Sequence, residues 1–94
     1  MADPHEFMWL NKQAVRSNRG FELRFAGNFA FEYRESDRVL HLEGGFMHGD
    51  LNGRRWGFSF YDSWPADVND ADRMRIRSNV IEAIEFMDGR VKFR

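Results

Sequence analysis

The chain contains no cysteine, and this absence excludes several kinds of chemistry at once. Without thiols there is no disulfide framework, no cysteine nucleophile and no cysteine-ligated zinc centre. Proline is also scarce, with two residues in 94, and no low-complexity tract or linker interrupts the sequence. A chain without cysteine suits a reducing compartment, so we expect a cytoplasmic protein.

No charge of one sign predominates, since 14 Lys and Arg residues balance 15 Asp and Glu residues. The sequence therefore lacks the basic excess that is typical of nucleic-acid-binding domains. No apolar run approaches the roughly 20 residues that a membrane-spanning helix needs. The first residues, MADPHEFMWLNKQ, have neither a basic start nor an apolar stretch, so we expect no secretory signal. Nucleic acid and membrane are thus not expected partners.

Aromatic residues, by contrast, are abundant: ten Phe, three Trp and two Tyr. Each aromatic side chain buries roughly 150–250 Å². A chain of 94 residues has the size of one domain with one core. We therefore expect a single domain over residues 1–94, with little room for a deep catalytic cleft.

The middle of the chain alternates apolar and polar residues, which indicates an antiparallel sheet with one buried face. The alternating segments are residues 21–25, 29–34, 40–43 and 56–61. A short final strand is expected near the end, where Val91 and Phe93 face one way and the basic residues between and beside them face the other.

Two strand registers follow from keeping the apolar side chains on one face. A three-residue loop at residues 26–28 pairs Leu23 with Phe31. The next turn then pairs Tyr33 with Leu40. Both registers leave charged side chains on the opposite face, as expected for a sheet with one solvated side.

The last third of the chain changes to a helical period between Val68 and Met87. The apolar stripe of this helix consists of Ile76, Val80, Ala83, Ile84 and Met87. The residues able to cap its start are Asp67, Asn69 and Asp70. Gly89 is expected to take the left-handed position after its end. The predicted fold is α+β, an antiparallel sheet of about five strands with one long C-terminal helix packed on one face and a short final strand.

The N-terminal segment fits two interpretations. Asp3 to Glu6 has the composition of a helix start, and Phe7, Leu10 and Ala14 would continue a helical stripe. Phe7 and Trp9 also alternate as they would in a strand. We favour a short helix or turn here.

The stretch HLEGGFMHGD, residues 41–50, contains two histidines and two carboxylates. A turn at Gly44-Gly45 would place His41 across from His48, with Cβ atoms about 5 Å apart, and would permit a shared metal ion. A turn at Asn52-Gly53 would instead extend the strand through the glycines and separate the histidines by about 23 Å.

Packing favours the turn at Asn52-Gly53. This turn brings Met47 across from Phe58, whereas a turn at Gly44-Gly45 leaves the strand at residues 56–60 without a comparable partner. The favoured register needs a bulge at Gly44-Gly45 to correct the phase of the alternation. We therefore expect no metal site and no cofactor.

Other catalytic patterns are absent from the sequence. Carboxylates are numerous, but no spacing forces two of them to converge as a glycoside hydrolase would require. Neither a nucleophile elbow nor a phosphate-binding loop is present. We expect a protein that is not an enzyme and has no catalytic residues. A platform of aromatic strands for single-stranded nucleic acid is a less favoured alternative, because the balanced charge argues against it.

Two features indicate a surface that binds a partner. Met74 and Ile81 lie on the helix away from its main stripe, where they form an apolar patch unless the N-terminal segment covers them. The connection YDSWPAD carries aromatic residues of the kind enriched in interface hot spots, although Trp64 would alternatively close the end of the core. The candidate partner-binding residues are Tyr61, Asp62, Trp64, Asp67, Met74 and Ile81.

The last third also carries a pattern of several parts: Trp64-Pro65, the acidic stretch Asp67 to Asp72, Ile76-Arg77, Asn79-Val80-Ile81, Phe86 and Val91. This pattern resembles the C-terminal part of a family of small immunity proteins from bacterial polymorphic-toxin systems. A Tyr-Arg-Glu at residues 33–35, before a Val-Leu-His-Leu strand, is similar too. The segments GGFMHGDLNG and DPHEFMWL are not part of the family's pattern.

The resemblance implies a cytoplasmic protein without catalytic activity that binds and neutralises a cognate toxin. It transfers no binding residues, so the candidate residues rest on the surface argument alone. The alternative is a small bacterial α+β domain that self-associates as a homodimer, through a sheet edge or through its aromatic face.

Overall fold

A computed structural model of the protein describes residues 6–94. In this part of the chain there are seven strands and one helix. The elements are β1 (Phe7–Asn11), β2 (Ala14–Ser17), β3 (Phe21–Gly27), β4 (Ala30–Glu35), β5 (Arg38–Phe46), β6 (Trp56–Phe60), α1 (Asp70–Phe86) and β7 (Gly89–Phe93). The α+β class and the C-terminal helix are confirmed, but the sheet has more strands than the five expected.

The strands form one curled, mixed sheet in which neighbours in sequence are also neighbours in space, from β1 to β7. Every pair is antiparallel except β6 and β7, which are parallel. The reason is that α1 runs back along the sheet, so β7 starts beside the first residue of β6: Gly89 lies opposite Trp56. The expectation of a wholly antiparallel sheet is therefore wrong.

The segment after Glu6 forms two antiparallel strands, so the preference for a short helix is wrong there. Phe7 lies opposite Ser17, and Trp9 lies opposite Val15. The strand period prevails because it puts the rings of Phe7 and Trp9 on the same side, where both contact Phe86 of α1. Residues 3–5 of the predicted helix start lie outside the described part of the chain.

The β3–β4 register differs by two residues from the predicted one, because Leu23 lies opposite Tyr33 instead of Phe31. The chain reverses in a two-residue turn at residues 28–29, both with positive φ, instead of a three-residue loop. The predicted β4–β5 register is confirmed, with Tyr33 opposite Leu40.

Strand β5 pairs with β4 along its first part and with β6 along its last three residues. It continues through Gly44-Gly45, as predicted, but no bulge interrupts its pairing with β6. Phe46, and not Met47, therefore lies across from Phe58. The phase of the alternation is kept, so Phe46 stays on the same side as Leu42.

The first glycine of this pair is required by close packing. A Cβ on Gly44 would lie 2.0 Å from the carbonyl oxygen of Ser59 and 2.8 Å from the ring of Phe58. A Cβ on Gly45 would meet no atom within 4 Å. Phe58 thus packs directly against the backbone of β5, at the position where this strand passes from one neighbour to the other.

Helix α1 begins after Asn69, one of the three predicted caps, whose side chain accepts a hydrogen bond from the backbone N–H of Asp72 at 2.8 Å. The predicted stripe is confirmed for its first four members, which are all fully buried: Ile76, Val80, Ala83 and Ile84. This helix, within the described residues, is neither long nor apolar enough to cross a membrane.

The residue with left-handed backbone after α1 is Asp88, with φ of 64°, so the prediction of Gly89 at this position is wrong. Gly89 instead starts β7, where close packing leaves no room for a side chain. A Cβ there would lie 2.6 Å from the indole of Trp56. The helix end is therefore packed tightly against the start of β6.

Candidate functional site

A series of aromatic rings runs through the core from one end of the sheet to the other. The neighbouring pairs, with their centroid distances, are Trp56–Phe31 at 6.1 Å, Phe31–Phe60 at 5.6 Å, Phe60–Phe93 at 5.1 Å and Phe93–Trp64 at 6.2 Å. We call the end with Trp56 the open end and the end with Trp64 the closed end. The two ends differ in how completely their rings are covered.

The open end contains a depression of about 180 Å³, which we call the aromatic groove. It is lined by Trp9, Lys12, Gln13, Phe25, Phe31, Phe46, Trp56 and Met87. These residues come from β1, the β1–β2 turn, β3 to β6 and the end of α1, because the curl of the sheet brings its first strands near its last ones. Five of the eight are aromatic, so the surface offered by the groove is mainly apolar.

Two exposed rings form the sides of the groove. Trp9 exposes 48% of its surface although it packs on Phe86, with a distance of 5.7 Å between the ring centroids. Phe46 exposes 43% of its surface. Its ring centroid lies 5.7 Å from that of Phe25 and 5.2 Å from that of Phe58. Both rings therefore leave apolar surface exposed at one depression.

The inner wall of the groove is held in place by hydrogen bonding and stacking. The indole N–H of Trp56 donates to the carbonyl oxygen of Met87 at 3.1 Å. Its ring lies nearly parallel to that of Phe31, with an interplanar angle of 11°. Because the wall is already ordered, little conformational entropy is lost when a ligand binds to it.

The β1–β2 turn supplies the polar rim. The backbone N–H of Gln13 donates to the side chain of Asn11 at 2.7 Å, and its carbonyl accepts from the N–H of Phe25 at 2.9 Å. These bonds fix the turn that presents Lys12 beside Trp9. A shallower depression of about 470 Å³ continues outward past Trp9 and Lys12. The groove therefore opens onto a wider surface.

The closed end carries the predicted residue Trp64 in a different environment. Its ring stacks on Phe93 with an interplanar angle of 23°, and its N–H donates to the carboxylate of Asp62 at 2.6 Å. Trp64 is half-buried and packs against the core cluster. It thus closes this end of the core, which is one of the two roles considered for it, and its role in partner binding stays a prediction.

The remaining predicted residues spread over the closed end and α1. Tyr61 exposes 52% of its surface and lies 5.3 Å from the guanidinium of Arg94. Asp67 approaches Arg38 at 3.9 Å. On the helix, Met74 exposes 69% of its surface, so the described part of the N-terminal segment does not cover it. Ile81 is half-buried. The structure joins Asp62 to Trp64 directly and shows no such bond among the others in the described residues.

Charged side chains fix the helix to the sheet at the closed end. Glu35 accepts hydrogen bonds from the guanidinium of Arg75 at 2.6 Å and from the hydroxyl of Tyr33 at 3.0 Å. The bond from Arg75 holds the pKa of Glu35 below its ordinary value. Burial raises the pKa of Tyr33 to about 12, and its hydroxyl also accepts from the amide of Asn79 at 2.9 Å.

The histidines of HLEGGFMHGD do not face each other. His41 lies opposite Glu32, while the following glycines pair with β6 and carry the strand onward. Within residues 6–94 no group of three or more His, Cys, Asp or Glu side chains is placed to hold a metal ion. The structure thus supports the extended strand over the turn at Gly44-Gly45.

The aromatic groove was not among the predicted site residues. The signal was present, because Phe46 is in phase with Leu42 and Trp9 with Phe7, but the expected bulge and helix concealed it. The groove offers rings, one amine and one amide, which is the chemistry of a binding surface. In comparisons with known proteins, no family model, no curated protein and no solved structure matches the chain.

Proposed function

We propose that this chain is a protein-binding module without catalytic activity, an immunity protein that neutralises a cognate bacterial toxin by direct binding. The observation that supports binding is the aromatic groove with its two half-exposed rings, Trp9 and Phe46. The resemblance of the C-terminal third to immunity proteins supports a toxin as the partner. Neutralisation then consists of covering the toxin's working surface.

The dimensions of the groove suit one large side chain from a partner. Its volume of about 180 Å³ compares with the ~150 Å³ of an engineered protein cavity that takes up benzene. Energy at interfaces is concentrated in a few aromatic anchors that enter such depressions. We therefore expect an aromatic or branched apolar residue of the toxin to insert between Trp9 and Phe46.

The interface must extend beyond the groove, because a stable complex buries roughly 800 Å² on each partner. Phe29, at the β3–β4 turn, is exposed at the same end of the sheet. Its neighbours along the chain, Phe25 and Phe31, line the groove itself. The open end thus presents a broader apolar area around the groove that a partner can cover.

A growth assay tests the proposal. The protein encoded immediately upstream of this chain is expressed alone and together with it. We expect toxicity in the first case and rescue in the second. Trp9→Ala should weaken binding by about 2 kcal/mol or more, as a hot-spot residue does, and reduce rescue. Val39→Ala is the matched control, since Val39 is also an exposed apolar residue on a strand but lies outside the groove.

Two results would contradict the proposal. Toxicity without rescue, or no toxicity, would remove the toxin as partner. A concentration-dependent dimer that Trp9→Ala abolishes, with no binding to the upstream product, would instead favour self-association through the open end. Analytical ultracentrifugation of the purified chain over a range of concentrations separates these cases.

A further inference from the structure

The unpaired basic side chains of this protein are unevenly distributed. Among the described residues, six lie beyond ion-pair distance of any carboxylate: Lys12, Arg24, Arg55, Arg90, Lys92 and Arg94. Three of these six belong to the last strand and its end. In a protein with a net charge of −1, this concentration of uncompensated positive charge needs an explanation.

The register of β7 puts these three side chains on one face. Alternate residues of a strand point to the same side and are spaced by roughly 6.6 Å. Val91 and Phe93 pack against the core cluster, so the basic residues at 90, 92 and 94 point away from it. On the neighbouring strand the residues in register are small, with Gly57 opposite Arg90 and Ser59 opposite Lys92. Leu51 and Met47 cover Gly57, so the trough that results beside the positive charges lies at Ser59, next to Lys92 and Arg94.

Part of this trough is a depression of about 270 Å³, which we call the basic depression. It is lined by Phe46, Met47, His48, Ser59, Lys92 and Arg94. No Asp or Glu side chain contributes to this lining. The depression therefore combines two cationic side chains and an imidazole with an apolar edge.

The guanidinium of Arg94 is already oriented. Its Nε–H donates to the hydroxyl of the buried Ser59 at 2.8 Å, and its guanidinium lies 5.3 Å from the centre of the Tyr61 ring. A guanidinium has five N–H donors, so four stay available after this bond. Such a pre-oriented planar group matches a carboxylate well, because it can form two parallel hydrogen bonds.

The basic depression and the aromatic groove meet at Phe46, which lines both, although the register places its ring on the core side with Phe58 and places Lys92 on the other side of the sheet. We infer that the basic depression binds carboxylate side chains of a protein partner, so that the partner's contact surface is acidic next to its apolar anchor. This inference rests on the proposed function, because it assigns the chemistry of the same partner.

Protein carboxylates fit the depression better than nucleic-acid phosphates do. Strong binding to nucleic acid commonly involves 6–10 phosphate contacts, and the row on β7 offers three basic side chains. The apolar edge contributed by Phe46 and Met47 has the composition of a protein interface, in which aromatic residues, Met and Arg are enriched. The net charge of −1 also does not favour a long polyanion.

Nuclear magnetic resonance titration of the full ¹⁵N-labelled chain tests the inference without the toxin. The probes are the acidic peptide acetyl-EFEEFE-amide, its basic counterpart acetyl-KFKKFK-amide, and an oligothymidylate of six nucleotides. We expect the acidic peptide alone to shift the amide signals of His48, Ser59, Lys92 and Arg94. Binding should weaken as salt is added, because the contacts are between exposed charges.

Charge reversal at one position provides the control within the chain. Lys92→Glu should weaken binding of the acidic peptide about tenfold, while Arg24→Glu should leave it unchanged. Arg24 is also an exposed, unpaired cation on a strand, but β3 does not line the depression. The spectrum of each variant shows directly whether it is folded.

Three results would overturn the inference: no shifts with the acidic peptide, equal binding of the basic peptide, or equal binding of the oligothymidylate at the same residues. The first would leave the depression without a carboxylate ligand. The second would show apolar contact only, and the third would indicate phosphate. A failure of rescue in the growth assay would count against the toxin alone, since the titration does not use it.

Discussion

The two ends of the curled sheet both carry tryptophan, and they use it differently. At the closed end, Trp64 is stacked on Phe93 and hydrogen-bonded to Asp62. At the open end, Trp9 packs on one ring and leaves half of its surface exposed beside the groove. The same side chain thus completes the core at one end and stays half-exposed at the other.

The helix shows the same asymmetry. Its N-terminal part lies at the closed end, where Arg75 binds both Glu35 and Asp72. Its last turn lies at the open end and contains no basic residue of its own, but Arg54 donates to the carbonyl oxygen of Glu85 there at 3.3 Å. The difference is that a guanidinium–carboxylate pair holds the helix to the sheet at the closed end, whereas Trp9 and Phe46 leave aromatic surface exposed at the open end.

Substitution of Gly44 by alanine should have the largest effect, because both ends depend on β5 where it passes from β4 to β6. The added Cβ would lie 2.0 Å from the carbonyl oxygen of Ser59 and 2.8 Å from the ring of Phe58. The carbonyl oxygen belongs to the backbone, so it cannot move away from the added methyl group as the end of a flexible side chain can. We expect the free energy of unfolding to fall by about 3 kcal/mol or more, measured by chemical denaturation.

The neighbouring glycine is a matched control. Gly45→Ala adds the same methyl group one position further along the strand, where no atom lies within 4 Å. We expect a change within about 0.5 kcal/mol of zero. Equal losses for both variants would show that strand flexibility, and not the contact with Phe58, determines the need for glycine here.

Exchange of one tryptophan at each end for alanine tests the comparison directly. Trp64→Ala should lower the free energy of unfolding by about 2–3 kcal/mol, somewhat less than for a fully buried tryptophan, because Trp64 is half-buried. Trp9→Ala should cost about 1 kcal/mol, chiefly its contact with Phe86. Chemical denaturation of both variants gives the two values. If Trp9→Ala were the more destabilising, Trp9 would be a core residue, and the proposal that the groove is a binding surface would fail.

The helix and the β4–β5 hairpin could be predicted from the sequence because local patterns determine them. Ile76, Val80, Ala83 and Ile84 recur at the helical period, so their spacing alone indicates which side of the helix is buried. Asn69 caps through a bond to a backbone group three residues away. Both features require no knowledge of distant residues.

The β3–β4 turn could not be predicted in this way. A two-residue turn with positive φ places Phe29 at 60°, which is unusual for a bulky side chain. Turn preferences alone therefore favour the longer loop at residues 26–28. The pairing of Leu23 with Tyr33 across the sheet determines the outcome, and that pairing depends on the packing of the whole core.

The candidate site was missed for a related reason. Phe46 borders the groove only because the alternation of β5 continues through Gly44-Gly45 without a bulge. The regular pairing is possible because Phe58 packs against Gly44, which has no side chain. Trp9 borders it only because β1 is a strand. The predicted residues Tyr61 and Trp64 were recognised from an aromatic-rich connection, and the structure places that connection at the closed end.

The smallest expected effect is a change of the free energy of unfolding with pH, and it is caused by Glu35 at the closed end. Because Arg75 lowers the pKa of Glu35, this carboxylate contributes stability above its unfolded pKa of roughly 4.3. That contribution is lost as the pH falls through the lower pKa of the folded state. Glu35→Gln should therefore reduce the free energy of unfolding by about 1 kcal/mol at pH 7 and by less at pH 3, measured by urea denaturation at both values.

Glu43→Gln is the control for this prediction, because Glu43 is exposed and forms no ion pair in the described part of the chain. It should leave stability nearly unchanged at either pH. Amide hydrogen exchange locates the effect, since Glu35→Gln should speed exchange near Arg75 before it does so near Trp56. An equal acceleration at both ends would mean that the bond from Arg75 to Glu35 supports the whole fold, and the proposed separation between a stabilising end and a binding end would fail.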